Sequence, residues 1–396
     1  MSVDAVASVE PFSQKPTDAG VKLASPMSVH LDAIRGMAAL AVFLEHWRNL
    51  FFVDYSQLQH FGILVKVFYA LTGLGHSAVM VFFVLSGFFI SSSVIRSTKQ
   101  GRWSWVWYAE QRLTRLYVVL VPALVLGGIW DFIGSHYILH APIYMASRDY
   151  QNMIKHPVAQ MLTLKAGIGN LFFLQGIRSP IFGSNGPLWS LSYEFWYYVL
   201  FPVGILALLR KSSLILRVGY AILGIIIFFF IGKLIALYFL VWLLGALIGL
   251  CPSIGITKSK SLGVCLGLLF IATILAPRFK LIPTGVLSDV LVSTTFAALL
   301  YFILNHAFQP PPRSYAKVAH ACSNASYSLY LVHVPILVFL NACIIGHSSR
   351  WLPASNHLIQ SILVAGFVFL YTYGVWYLTE AKTGQVRKKI STLLGR

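Results

Sequence analysis

The sequence predicts an all-α integral membrane protein, a polytopic bundle of about ten transmembrane helices. Of the 396 residues, 57% are hydrophobic and only 11% are charged, whereas about a quarter of the residues of an average soluble domain are charged. The mean hydropathy of the chain is +0.74. Apolar runs long enough to cross a bilayer, which takes about 20 residues, recur along almost the whole length. We therefore expect one membrane domain and see no separate soluble catalytic domain.

The apolar runs divide into ten predicted helices. The boundaries at residues 210–211 and 232–233 are the least distinct, because the turns there are very short. The stretch Pro157–Gly176 contains a lysine and several glycines, and it indicates a re-entrant or interfacial element. In chain order the predicted helices cover about Ala33–Val53, Gly75–Ile95, Leu113–Ile133, Leu188–Leu209, Ser213–Ile231, Leu234–Cys251, Leu262–Ala276, Val286–Ala307, Ser326–Ile345 and Leu358–Thr379.

Three segments are expected along the chain. Residues 1–30 are polar and predict a disordered cytoplasmic tail, residues 31–380 form the transmembrane domain, and residues 381–396 predict a basic cytoplasmic tail. An even number of helices leaves both termini on one side of the membrane. The loops on that side carry more of the Lys and Arg residues, so the positive-inside rule predicts cytoplasmic termini and a location in the cytoplasmic, or inner, membrane.

The net charge of +18 follows from these basic loops. The basic residues are spread over many short loops and form no single patch, so a nucleic-acid partner is not expected. The four cysteines have neither the spacing of a metal site nor that of a secreted disulfide framework. We therefore expect no metal, and we interpret these cysteines as small buried hydrophobic residues.

The first predicted helix carries ionisable residues in apolar surroundings. It reads LDAIRGMAALAVFLEHWRNLFFV and includes Arg35 and His46. Ionisable groups inside a span are costly and usually face a protein interior or a wet cavity, which makes them candidates for function. Arg35 and His46 are about three helical turns apart and therefore share a face. His46 is a candidate general base for a hydroxyl proton, and the alternative is a structural histidine held by a neighbouring helix.

Two further ionisable residues lie at a similar depth. Glu194 is about six residues into its predicted helix and His333 about seven to ten residues into another, which corresponds to roughly 9 Å and 10–15 Å. In a hydrocarbon core about 30 Å thick, these residues and His46 fall in one middle-to-outer layer. They could converge on one cavity.

Glu194 belongs to the segment GPLWSLSYEFWYY, together with Ser190. The two residues are four positions apart and therefore lie on one helix face. Glu194 could orient an imidazole or contact a polar substrate. The alternative is a structural hydrogen bond to a tyrosine or serine.

Arg112 and Arg115 lie three residues apart at the start of the third predicted helix. Both guanidinium groups would point the same way, and each can grip phosphate oxygens with two hydrogen bonds. The pair therefore suits the phosphates of a cytosolic ligand. The alternatives are a topology signal and a contact with lipid headgroups.

The second predicted helix contains the small residues Ser86 and Gly87 near mid-depth. Small residues permit close packing of neighbouring helices, which is the favoured interpretation. The alternative is that they widen a passage beside His46.

Five short segments, in this order, resemble a known family. They read LDAIRGMAALAVFLEHW, HSAVMVFFVLSGFFI, QRLTRLY, LWSLSYEFWYY and SYSLYLVHVPI. Together they resemble the membrane-bound acyltransferase family called acyltransferase 3, which includes bacterial O-acetyltransferases of surface polysaccharides. Two features depart from the family pattern. Glu45 precedes His46 where many members have a second histidine or another residue, and no proline directly follows Tyr117.

The resemblance implies ten or so helices, a cytosolic acyl-CoA donor and transfer of the acyl group to an acceptor on the outer side. No bound cofactor is expected, and the partners are the lipid bilayer, the acyl-CoA donor and the acceptor. The resemblance makes His46 the essential catalytic histidine. The expected site residues are the catalytic groups His46 and Glu194, the donor contacts Arg112, Arg115 and Arg35, and the substrate contacts Ser190, Tyr330 and His333.

The predicted activity is O-acyl transfer, with acetyl as the expected group and a cell-surface glycan or glycolipid as the expected acceptor. The family also includes enzymes that act on peptidoglycan, antibiotics or small metabolites, so the acceptor stays open. His46 could act as a base or form a covalent acyl intermediate. The alternative function is a transporter or flippase for a glycan or lipid-linked sugar, in which the polar groups would line a path.

Overall fold

A computed structural model describes residues 26–59, 62–138, 140–209, 212–251, 259–306 and 308–393 of the chain. Apart from two isolated bridges, these residues contain no β-strand. The predicted all-helical fold is thereby confirmed. The helices are α1 (Pro26–Phe51), α2 (Ile63–Leu71), α3 (Gly75–Lys99), α4 (Trp105–Tyr137), α5 (Val158–Met161), α6 (Leu164–Leu171), α7 (Leu188–Leu208), α8 (Leu214–Ile248), α9 (Lys260–Leu275), α10 (Val286–Asn305), α11 (Arg313–Asn324), α12 (Ser326–Ile344), α13 (Ser355–Leu378) and α14 (Thr383–Leu393).

Eight helical segments in the described residues are long and apolar enough to cross a membrane, against about ten predicted. Two predicted helices form the single element α8, which is interrupted at Gly232, where φ is 79° and ψ is 166°. Glycine takes this conformation readily because it has no Cβ. The predicted helix Leu262–Ala276 corresponds to α9, whose 16 residues fall short of the usual length of a span. These two elements account for the difference in number.

The two predicted tails contain some helical structure. Helix α1 begins at Pro26, and proline suits the first position of a helix because its missing N–H would have no partner there. Residues 1–25 of the predicted N-terminal tail lie outside the described part of the chain. The predicted C-terminal tail contains α14. The boundaries of the predicted segments stay predictions.

The four cysteines are exposed in the structure, so the expectation that they are buried is wrong. The residues concerned are Cys251, Cys265, Cys322 and Cys343. Cys343 lies in a helix long enough to cross a membrane, where an exposed apolar side chain costs little because lipid tails are as apolar as a protein interior.

The described residues divide into two compact units. The first comprises the described residues within Met1–Met37, Val79–Trp105 and Tyr197–Ser323, and the second those within Ala38–Ala78, Val106–Trp196 and Asn324–Arg396. Seven of the eight predicted site residues belong to the second unit, and Arg35 belongs to the first.

In the first unit, α3 and α8 approach each other backbone to backbone. A Cβ added to Gly87 would lie 2.0 Å from the carbonyl oxygen of Trp242, and one added to Gly245 would lie 1.9 Å from that of Val84. The Trp242 indole N–H donates a hydrogen bond of 3.2 Å to the Ser86 hydroxyl. The structure therefore supports close helix packing as the role of the Ser86–Gly87 step.

In the second unit, α12 is buried over most of its length. Its first turn is capped by Glu380, whose carboxylate accepts hydrogen bonds from the Ser328 backbone N–H at 3.0 Å and hydroxyl at 2.6 Å. These bonds satisfy a backbone donor that a helix start leaves without a partner. Towards the other end, the Asn341 amide donates to the Leu50 carbonyl of α1 at 2.7 Å. The two ends of α12 are thus fixed by buried polar contacts.

The contact between α3 and α8 predicts opposite effects for two glycine substitutions. Gly87→Ala would overpack the contact, which typically costs about 1–3 kcal/mol, and should lower the midpoint of thermal unfolding of the purified protein in detergent. Gly219→Ala is the control, because nothing lies within 4 Å of its added Cβ and alanine is favoured in helices by about 1 kcal/mol. An equal change in both variants would contradict the packing role.

Candidate active site

The central feature of the second unit is a pair of histidines from α1 and α12. His46 Nδ1 lies 2.7 Å from His333 Nε2, and the two rings are nearly parallel, at 16°, with centroids 5.0 Å apart. His333 is fully buried, and the Phe43 ring contacts it edge-on. His46 is half-buried and is therefore the more accessible ring. The described residues contain no group of three His, Cys, Asp or Glu side chains arranged to hold a metal.

A backbone carbonyl determines the direction of the hydrogen bond between the two rings. His333 Nδ1 lies 2.6 Å from the carbonyl oxygen of Leu329, which can only accept, so His333 Nδ1 carries the proton. In a neutral His333 ring, Nε2 is then an acceptor, and the proton of the shared bond resides on His46 Nδ1. His46 Nε2 is left with an unprotonated lone pair, as a general base requires.

A second polar contact joins α7 to α12 next to the histidines. The hydroxyls of Ser190 and Tyr330 lie 2.6 Å apart, and the Ser190 hydroxyl also donates to the Pro187 carbonyl at 3.1 Å. Because serine has one proton to donate, the Tyr330 hydroxyl is the donor to Ser190. The Glu194 carboxylate interacts electrostatically with the Tyr330 phenol. Tyr330 precedes His333 by three residues, about one turn of α12, so the structure brings these predicted residues together.

Both nitrogens of His333 are engaged by protein groups, one by a carbonyl and one by His46. This geometry favours a role in holding His46 over the predicted role as a substrate contact. Ser190 and Tyr330 are similarly bonded to each other. The substrate contacts stay predictions.

The segment that precedes α7 is held by a buried acid that the sequence analysis did not select. Asp131 of α4 accepts hydrogen bonds from the Ser184 backbone N–H and hydroxyl, both at 2.7 Å, and the Asn185 amide donates to the Leu331 carbonyl of α12 at 2.8 Å. These contacts fix the start of the helix that carries Ser190. Asp131 lies inside a predicted span, so the rule that selected Arg35 and His46 could also have found it.

Glu45, the neighbour of His46, has a structural role. Its carboxylate accepts a hydrogen bond of 2.6 Å from the backbone N–H of Gly75, the first residue of α3. A carboxylate is favourable at a helix start because the N–H groups there have no intrahelical partner. The departure from the family pattern at this position therefore serves to anchor α3.

Arg112 and Arg115 lie about two to three turns into α4, near the start of α12. The Arg112 guanidinium carbon sits 5.6 Å from the centre of the Tyr108 ring. Next to Arg115, the Leu116 carbonyl accepts a hydrogen bond of 3.3 Å from the hydroxyl of Tyr327 at the beginning of α12. His333 follows Tyr327 by six residues, or about 9 Å of helical rise. The arginine pair and the histidine pair are thus linked through one short stretch of α12.

Arg35 is engaged within the first unit. Its guanidinium lies 3.7 Å from the carboxylate of Asp32, which also accepts from the Ser323 hydroxyl at 2.8 Å and lies 3.3 Å from His320 Nδ1. Asp32 therefore offsets part of the Arg35 charge. The expected contact between Arg35 and the donor stays a prediction.

Comparison with known proteins gives one family and two relatives. The acyltransferase 3 model, described as an acyltransferase domain, matches residues 29–381. An uncharacterized protein of Haemophilus influenzae is 28% identical over 150 residues, which are 38% of this chain and 56% of that protein. An O-acetyl transferase of Shigella phage Sf6 is 27% identical over 176 residues, 39% of this chain and 45% of that protein. The chain thus spans about half the length of these relatives. No solved structure matches it significantly.

The proton arrangement of the histidine pair is open to direct measurement. In protein labelled with nitrogen-15 histidine, solid-state NMR should find His46 protonated at Nδ1 and bare at Nε2, with its signals identified by their loss in His46→Gln. His333→Ala should change this spectrum because it removes the acceptor. A His46 ring protonated at Nε2 in the wild-type protein would rule out the arrangement.

Proposed function

The chain belongs to the acyltransferase 3 family, and we propose that it is an O-acyltransferase that moves an acetyl group from acetyl-CoA to a hydroxyl of a cell-surface glycan or glycolipid. Family membership makes the protein a membrane-bound acyltransferase. The name of the phage relative, an O-acetyl transferase, supports the choice of acetyl. The observation that carries the proposed mechanism is the hydrogen bond from His46 Nδ1 to His333 Nε2.

His46 is the proposed general base. Its Nε2 lone pair takes the proton of the acceptor hydroxyl as the oxygen attacks the thioester carbonyl. A carbon–oxygen bond forms, the carbon–sulfur bond breaks, and the proton held at His46 Nε2 passes to the leaving CoA sulfur. The same lone pair could form an acyl-His46 intermediate instead. Mass spectrometry of the protein incubated with the donor alone would detect that adduct.

His333 is the proposed positioning residue. By accepting the Nδ1 proton of His46, it holds the ring in the tautomer that directs Nε2 towards the substrates. When His46 gains a second proton, the same bond becomes charge-assisted and therefore stronger. The Leu329 carbonyl keeps His333 in the matching tautomer.

Arg112 and Arg115 are the proposed contacts for the donor phosphates, and Arg35 remains a further candidate. The arginine pair is linked to His333 through about 9 Å of α12. In acyl-CoA, the thioester is separated from the phosphates by the pantetheine arm, so the donor could bind both ends of this stretch at once. Binding energy from the phosphates would then orient the thioester beside His46.

The acceptor is proposed to bind beside Ser190, Tyr330 and Glu194. Hydroxyl and carboxylate groups in partly apolar surroundings suit a polyhydroxylated ligand such as a sugar, because they can pair with its hydroxyls. The proposed site lies in the inner membrane of the cell, with both termini in the cytoplasm. The chain has a net charge of +18, and the basic loops that the predicted topology places on the cytoplasmic side would attract the polyanionic donor.

The function is tested first by mass spectrometry of surface glycans and lipids extracted from cells. Cells with the wild-type protein should carry an acyl group on one of these molecules, and His46→Ala should lower its amount by about 10²–10⁴-fold, the usual contribution of a general base. His347→Ala is the control, because His347 is exposed in a loop. Inside-out vesicles supplied with deuterated acetyl-CoA would identify the donor.

Retained acylation in His46→Ala would contradict the catalytic assignment. An unchanged acyl content between cells with and without the protein, together with an altered amount of exported glycan, would favour the transporter function.

The positioning role predicts a graded response to substitution of His333. His333→Ala leaves the His46 Nδ1–H without an acceptor. A loss of about 1–3 kcal/mol corresponds to about 5–160-fold in kcat, with the KM for acyl-CoA nearly unchanged. His333→Gln should retain more activity, because its amide oxygen can accept the same proton. A rise in KM with unchanged kcat would indicate a substrate contact instead.

A further inference from the structure

We propose that Arg387 of the C-terminal helix α14 joins Arg112 and Arg115 of α4 to form one phosphate-binding site. This inference rests on the proposed function for its main ligand, acyl-CoA. It assigns a binding role to a helix that the sequence analysis treated as part of a basic tail. The ligand chemistry is that of a phosphate or diphosphate group.

Three hydrogen bonds bring α14 close to the arginine pair. Tyr327, the second residue of α12, donates to the carbonyl of Leu116, the residue after Arg115. Ser328, the next residue of α12, is capped by Glu380, which lies just before the start of α14. The beginnings of α12 and α14 therefore meet beside Arg115 and Leu116, about three turns into α4.

The side chains of α14 differ in exposure. Arg387 is half-buried, whereas its neighbours Lys388 and Lys389 are exposed. Arg387 interacts electrostatically with Glu110, Arg112 and Arg115. It is thus the basic residue of this helix that faces the arginine pair.

The cluster has more positive than negative charge. Among the described groups that act on Arg387, two are guanidinium groups and one is the carboxylate of the buried Glu110, while the nearby Glu380 carboxylate is bonded to Ser328. Arginine does not lose its proton in proteins. Like charges at close range repel each other, and partial burial strengthens the repulsion. The arrangement is therefore favourable mainly when an anion binds between the guanidinium groups.

Two buried atoms point to the same conclusion. The Nε atoms of Arg112 and Arg387 are buried and have no hydrogen-bond partner within the described part of the chain. A buried donor without a partner costs about 1–3 kcal/mol. Phosphate oxygens would satisfy such donors, because guanidinium groups bind them with paired, charge-assisted hydrogen bonds.

Two sources can supply this phosphate chemistry: the acyl-CoA donor and the headgroup of an anionic phospholipid. The experiment uses the full-length protein in nanodiscs of zwitterionic lipid, with CoA as the probe in a calorimetric titration. Arg387→Gln should raise the Kd for CoA about 10–100-fold. Lys388→Gln and Lys389→Gln remove the same charge from the exposed face of α14 and should change it less than about twofold.

A second measurement separates binding from folding. Hydrogen exchange followed by mass spectrometry should show that CoA slows exchange of the α14 amides in the wild-type protein and that this protection is lost in Arg387→Gln. Arg387→Gln should keep the wild-type exchange pattern in α12. An unchanged pattern in this buried helix shows that the domain is folded.

The outcomes distinguish the two proposals. If the wild-type protein binds no CoA but retains anionic phospholipid that Arg387→Gln loses, the phosphate site stands with a lipid ligand and the proposed donor fails. If the wild-type protein binds CoA and Arg387→Gln binds it equally well, with the same protection of α14 and the same retained lipid, the phosphate site with Arg387 is refuted and the donor proposal stands.

Discussion

The hydrogen bond between His46 and His333 is the interaction on which the proposed chemistry of the membrane domain depends. An imidazole with one proton can exist as two tautomers, and in water both are populated. Here the Leu329 carbonyl restricts His333 to one tautomer, and His333 in turn restricts His46. The arrangement begins at a backbone oxygen, which cannot change from acceptor to donor as pH changes. The orientation of the proposed base is therefore fixed by the fold of α12 itself.

The same polar contacts that shape the candidate site also hold its helices in position. In lipid, a polar group without a partner costs several kcal/mol, so the side chains of a buried site must pair with one another. The bond between Ser190 and Tyr330 joins α7 to α12, and Asp131 fixes the segment before α7 through Ser184. Chemistry and stability are therefore coupled, and a loss of activity is informative only alongside a measure of folding.

Hydropathy and helical rise were enough to predict the helical membrane domain and the common depth of His46 and His333. The direction of their hydrogen bond was not predictable, because it depends on which ring nitrogen meets the Leu329 carbonyl. The interruption of α8 at Gly232 falls at the predicted helix boundary at residues 232–233, since glycine next to a lysine between two apolar runs indicates a break. Asp131 could have been selected from the sequence, because it is a carboxylate inside a predicted span. Its partner could not have been predicted, because that partner lies 53 residues later along the chain.

In the proposed mechanism the separation between the arginine pair and the histidine pair has an electrostatic reason. A guanidinium next to His46 would oppose protonation of the ring, because like charges disfavour the charged form. The donor phosphates, in contrast, require cations. The hydrogen bond between Tyr327 and Leu116 fixes the register of α12 against α4, and about 9 Å of helical rise separates this contact from His333. A donor with its reactive thioester at the end of a long arm meets both requirements at once. Its phosphates can bind at the arginines while its thioester carbonyl lies beside a base that is still able to accept a proton.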